Sequence, residues 1–300
     1  MKEAYMNNLN TLKSFGLLLA LTLLLIWVGQ LMGGRDGMIM ALIFAGVMNF
    51  VSYWFSDKIV LMMYRAKEIK ETENPKIYKI VRQLIQKANL PMPKVYLINT
   101  AMPNAFATGR NPQHAAVAVT SGILGLLNED ELTGVIAHEL SHVGNRDILI
   151  ASIAATVAGA IFMLARMAQY AAIFGGGNRD SNNNNNAAGM IVLAILAPIA
   201  AMIIQMAISR SREYEADKSG AEMSGKPLAL ASALEKLSSG NRRTPANVNP
   251  VTAHMFIMSP FAGKSLFALF STHPPMEERV KRLEKMAEQM SGYNIPNIIS

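Results

Sequence analysis

Three hundred residues, 51% of them hydrophobic and 16% charged, make a chain more apolar than an ordinary soluble domain. Cysteine is absent, which excludes disulfides and thiolate metal sites and leaves five histidines and the carboxylates as the metal-binding side chains. The formal charge of +7 lies beside hydrophobic stretches, without a nucleic-acid-binding module or interleaved aromatics, so it points to anionic lipid headgroups and not to nucleic acid.

Four uncharged stretches, 15–32, 38–55, 148–165 and 190–208, divide the chain. At about 1.5 Å per residue, about 18 helical residues approach the thickness of a ~30 Å hydrocarbon core. The first two flank Gly33, Gly34, Arg35, Asp36 and Gly37, a polar turn, and are expected to form a transmembrane helical hairpin. The small-residue-rich third and fourth are expected to form a second one, around a low-complexity tip at 175–186. No small-residue cleavage site follows the first stretch, so a retained anchor is expected. With four spans, the basic segment 58–146 and both termini share one side, the cytoplasmic side by the positive-inside rule. The 21 methionines are read as filler for lipid-facing and irregular positions.

The expected division is 1–57 as an N-terminal hairpin, 58–147 as the first part of a soluble domain, 148–208 as the second hairpin, and 209–300 as the second part. Within the first part, the spacing of Ile77, Ile80, Val81, Leu84 and Ile85 predicts a helix over 75–88. Alternation predicts a strand at 94–98, and breaker residues at 109–112 predict a hairpin between 104–108 and 115–120. The expected class is mainly α with a small antiparallel β-sheet, in an integral membrane protein.

Asn128 with Glu131 three residues on marks a helix start, and Leu132, Val135, Ile136, Leu140 and Val143 continue at helical spacing up to Gly144. His138, Glu139 and His142 therefore lie on one helix in an HExxH pattern. The two histidines share a face close enough to grip one metal ion, while Glu139, turned by about 100°, reaches a water beside it. Catalytic zinc takes three protein ligands and keeps one position open, so a third is required. Glu213, Glu215, Glu222, His114, His254 and His273 are the candidates. Glu213 and Asp217 stand one turn apart on a predicted helix, which favours Glu213 as the ligand with Asp217 behind it, but spacing alone leaves a solvated helix end equally open.

His138-Glu139-Leu140-Ser141-His142 with Asn145-Arg146-Asp147, then Ser211-Arg212-Glu213-Tyr214-Glu215-Ala216-Asp217, then Ser271-Thr272-His273-Pro274-Pro275 with Arg279, resemble the motifs of the HtpX-type membrane metalloproteases. These are bacterial relatives of the CaaX prenyl endopeptidases. Pro103-Asn104-Ala105-Phe106-Ala107-Thr108-Gly109 and the hydrophobic hairpins extend the resemblance over nearly the whole chain; the Asn-rich tip has no counterpart. It implies a gluzincin fold with one zinc ion per chain on His138, His142 and Glu213, Glu139 as general base and acid, and Asp217 supporting the ligands. His273 and Arg279 are implied near the zinc, assisting the oxyanion or holding the ligands together, although His273 also suits a helix-entry turn. His114 and His254 match no ligand position. By the same analogy Asn104, Ala105, Phe106 and Ala107 offer a substrate-binding strand edge.

The implied activity is cleavage of damaged or misfolded membrane proteins at the cytoplasmic surface of a bacterial inner membrane, in stress response and quality control. Membrane lipids and such substrates are the expected partners. The alternatives are a membrane scaffold or chaperone with a structural zinc, and a prenyl-protein processing endopeptidase.

Overall fold

The computed structural model describes residues 2–154, 156, 210–243 and 274–291. The third and fourth hydrophobic stretches beyond 156, the Asn-rich tip, His254 and His273 lie outside them.

Helical hydrogen bonding runs over Lys2–Met63 (α1). This is not a single rod, because Gly34 adopts φ +57°, a left-handed conformation that glycine takes without steric cost. Asn49 donates to the Thr22 hydroxyl at 2.8 Å, whereas 27 residues of continuous helix would separate them by about 40 Å. The chain thus turns back at its polar glycine-rich segment, as the sequence led one to expect. Among the described residues, Gly34–Met63 is the stretch long and apolar enough to cross a membrane, and most of its surface is exposed.

The end of α1 leads into β1 (Lys67–Glu68), α2 (Pro75–Ala88), β2 (Lys94–Ile98), β3 (Ala105–Gly109), β4 (Ala115–Thr120) and the short α3 (Ser121–Leu126). Asn74 caps α2 by accepting from the Ile77 amide, and Asn89, in the left-handed region, ends it. The strands form one sheet in the order β1-β2-β4-β3. It is mixed, which corrects the expected antiparallel sheet: β2 and β4 run parallel, while β1–β2 and β3–β4 are antiparallel. After β2 the chain crosses to the far edge, enters as β3, and turns back through the 3-10 turn Pro112–His114 into β4 between them. β4, antiparallel to β3, thereby runs in the direction of β2 beside it.

The two faces of the sheet have separate cores. Val95, Ala105, Ala107, Val117 and Val119 face the main core with α2 and α4 (Glu129–Gly144). Ile98, Phe106, Ala116 and Ala118 face Val60 and Leu61 at the end of α1. After a helical segment at 148–154, three further helices follow among the described residues, α5 (Arg210–Ser224), α6 (Pro227–Arg243) and α7 (Met276–Ser291). Both α5 and α6 pack on α4, so segments far apart in sequence meet around one helix.

Candidate metal centre

Helix α4 opens with a capping box: Asn128 accepts from the Glu131 amide and the Glu131 carboxylate accepts from the Asn128 amide, both at 2.9 Å. Glu131 is itself buried and also binds Ser232 and Lys236 of α6, which fixes the rotation of α4. The face so fixed carries His138 (1% exposed), Glu139 (5%) and the part-buried His142. Helix α5 approaches this face closely because residue 220 is glycine. A Cβ there would lie 2.8 Å from the Cα of His138.

That approach brings Glu213 to the histidines. Nε2 of His138 and Nε2 of His142 are 3.3 Å apart, and Glu213 oxygens lie 3.7 Å from each. One ligand atom from each of the three falls within 4.8 Å of the others. A tetrahedral ion with bonds of about 2.0–2.1 Å separates its ligand atoms by about 3.3 Å, so the triangle has the dimensions of a metal's ligand face.

The protons make the same point. Nδ1 of His142 is 3.1 Å from Asp147 Oδ2, and Nδ1 of His138 faces Asp217 Oδ1 at 3.0 Å. With Nδ1 of each ring on the carboxylate side, Nε2 of each is the nitrogen turned toward the other and toward Glu213. Three electron-pair donors converging in a buried site are costly without a cation among them. Burial disfavours a charge on His142, but Asp147, then Glu213 and Glu139, outweigh it and push the imidazole up to about 10.

Arg279, from α7, is fully buried and forks onto Asp217 with Nε–Oδ2 and Nη2–Oδ1 both at 2.7 Å. Its Nη1 lies 3.6 Å from Glu213. Burial alone would raise the Asp217 carboxyl, but Arg279, with His138, holds it below the ordinary carboxylate range, so Asp217 is an ionised acceptor. Three helices thus brace one ligand cluster, with Arg279 gripping a ligand and the carboxylate behind another.

Glu139 points to the sheet. Its Oε2 accepts the Ala107 amide at 2.8 Å, and burial, partly offset by His138 and His142, raises its carboxyl above the usual range. Asn104, Ala105, Phe106 and Ala107 are all buried. The Phe106 ring packs on Tyr64 with centroids 5.2 Å apart, in the core beneath the sheet. β3 is nevertheless a sheet edge, and the Ala107 amide faces away from β4. His114 lies in the β3–β4 turn, with Nδ1 2.8 Å from Asn111 Oδ1.

Residues 71–287 match the model of peptidase family M48. The chain belongs to peptidase family M48. Proteins described as "Protease HtpX homolog" are 57% identical over 284 residues in Desulforapulum autotrophicum, covering 94% of this chain and 92% of that one. In Syntrophotalea carbinolica the figures are 58% over 279 residues, 93% and 99%. In Thermodesulfovibrio yellowstonii they are 57% over 281 residues, 94% and 100%. The crystal structure of S. mikatae Ste24p shares the fold at a TM-score of 0.50, with 19% identity, over 94% of this chain and 67% of that one. The M48 chain is therefore a metallopeptidase, and the likeness to HtpX-type proteases drawn from its motifs holds.

Two contacts of this M48 site lay beyond the sequence reading. Asp147 reaches His142 because Arg146 adopts φ +56° just past the end of α4 and turns the chain back. An acid five residues after the second histidine was the available signal. The bond from Ala107 to Glu139 uses backbone and leaves no trace in side-chain pattern.

Proposed function

We propose that the chain is a membrane-anchored, zinc-dependent endopeptidase that cleaves misfolded or damaged membrane proteins beside the cytoplasmic surface of a bacterial inner membrane, as part of a stress response. The observation that carries it is the triangle of His138 Nε2, His142 Nε2 and the Glu213 carboxylate, set beside a buried Glu139. Its donor set of two imidazoles and one carboxylate suits zinc. Zinc held there supplies Lewis acidity that polarises a peptide carbonyl and acidifies water.

The chain's own groups do the rest. Glu139, anchored through Oε2 on the Ala107 amide, accepts a proton from the attacking water and returns it to the leaving amine. Its raised proton affinity suits a base that must also act as an acid near neutral pH. Asp147 and Asp217 fix the tautomers of the ligating imidazoles. Arg279 is a positioning residue held on Asp217 and Glu213. The β3 edge supplies main-chain groups at Ala105 and Ala107 for an extended peptide. The segments 58–147 and 209–300 form one metalloprotease domain, and the hydrophobic segments 1–57 and 148–208 anchor it in several passes.

Glu139→Gln separates proteolysis from a structural zinc site. The expected result is one zinc per chain in both proteins, with turnover of an unlipidated, misfolded membrane protein reduced about 10²–10⁴-fold in the variant. A variant that cleaves at the parent rate contradicts the assignment. Strict dependence on a lipidated substrate would favour prenyl-protein processing instead.

A further inference from the structure

The lower part of α1 carries a cluster that proteolysis does not use. Met40, Ile43, Val47, Phe50 and Trp54 are exposed at helical spacing, an apolar stripe about 21 Å long. It ends in a group of aromatic rings, with centroids 5.4 Å apart for Tyr53–Trp54 and 6.2 Å for Phe50–Trp54. Two cations sit on these rings. Arg110, from the β3–β4 turn, places Cζ 4.5 Å from the Trp54 centroid, and Lys58 places Nζ 5.3 Å from that of Phe55.

An apolar stripe of this length is deeper than a headgroup layer and matches hydrocarbon, whereas Trp and Tyr followed by Lys and Arg mark the boundary with water. Arg110 holds its guanidinium carbon over the Trp54 ring, and its planar fork of N–H donors has more of them than that ring can engage. Such a fork suits a bidentate phosphate contact. Neither Arg110 nor Lys58 has an ion-pair partner among the described residues; the neighbouring Asp57 acts on Lys94 and Tyr96.

We infer that Arg110, with Lys58 on the neighbouring ring adding positive charge, binds the phosphate of an anionic phospholipid, seating the β3–β4 turn on the membrane surface. This rests on the membrane-anchored reading above. Arg110 is three residues from Ala107, about 10 Å at strand rise, so β3, which holds Glu139, ends at the headgroups and lies where chain leaves the bilayer.

The chain has two tryptophans, so Trp27→Phe in a Glu139→Gln background leaves Trp54 as the sole tryptophan, excited selectively at its red edge. The full chain is reconstituted in phosphatidylcholine vesicles, and quenching of Trp54 by brominated phosphatidylglycerol is compared with quenching by brominated phosphatidylcholine. The expected preference for the anionic lipid is about fivefold, lost in Arg110→Gln, weakened in Arg110→Lys, which keeps the charge without the fork, and untouched by inorganic phosphate. Unchanged zinc content in Arg110→Gln shows that the variant folds. Equal quenching by the two lipids, or a preference that survives Arg110→Gln combined with Lys58→Gln, overturns the lipid site. A preference abolished by inorganic phosphate overturns it in favour of a free anion. Failure of both lipids to quench Trp54 overturns the membrane anchor itself.

Discussion

At the scale of single residues, the two aspartates behind the imidazoles decide how firmly a metal is held. Asp147→Asn keeps the shape but no longer presents an anionic acceptor to His142 Nδ1. Metal affinity is expected to fall about 10–100-fold, measured by competition with a chelator. Asp217→Asn carries a second penalty, because the fully buried Arg279 loses its bidentate partner. Breaking such a pair costs about 3–5 kcal/mol, so this variant should lose thermal stability even without metal. The protonation of His142 makes both metal binding and stability depend on pH. Its imidazole is raised to about 10 in the metal-free protein, so metal displaces a proton at neutral pH. Calorimetry in buffers of different ionisation enthalpy should show about one proton released per metal ion at pH 7, declining above pH 10. Because the folded value lies above the ordinary one, the stabilisation His142 gives the metal-free protein is complete below about pH 6.5. It fades as pH rises toward 10, and thermal melts of the metal-free chain across that interval check the sign.

At the scale of elements, the metal helix was legible because several local signals agreed: the Asn128–Glu131 capping box, the apolar spacing from Leu132 to Val143, and Gly144 at the end. The hairpin at Gly34 was legible for the same reason, since a polar glycine-rich turn between apolar runs permits little else. Strand direction was not legible. Alternation in 94–98 identifies a strand but carries no information about its neighbour, so the parallel pairing of β2 with β4 had to come from the fold. Alternation does place Phe106 opposite Ala105 and Ala107, and hence in the core beneath the sheet. The close crossing of α4 and α5 was equally invisible, because one glycine in a charged helix reads only as a weak point. Gly220→Val should push side-chain atoms into the backbone of His138, costing about 1–3 kcal/mol and displacing Glu213. Loss of bound metal with the chain still folded would be the specific sign. Ala107→Pro removes the amide that holds Glu139. Turnover is expected to fall with metal content unchanged; full activity in a folded variant would dismiss the strand's role.

At the scale of the whole molecule, sequence-distant segments converge on one cluster that could hold a metal ion. His138 and His142 come from α4, Glu213 from α5 beyond the second hydrophobic region, and Arg279 from α7. Spacing along the chain left the third ligand open among several acids and histidines, because nothing local to Glu213 distinguishes a ligand from a solvated helix end. The structure separates the candidates by what each approaches: Glu213 and Asp217 both turn to His138, and among the described residues Glu213, not Glu215 or Glu222, has a ligand atom within 4.8 Å of both histidines. The most direct test of this convergence is the zinc content of the purified full chain in the Glu139→Gln background, with and without Glu213→Ala. One zinc per chain in the first protein, and loss of tightly held zinc in the second, is the predicted result. No zinc in the first, or equal zinc in both, would contradict a centre built from two imidazoles of one helix and a carboxylate of another.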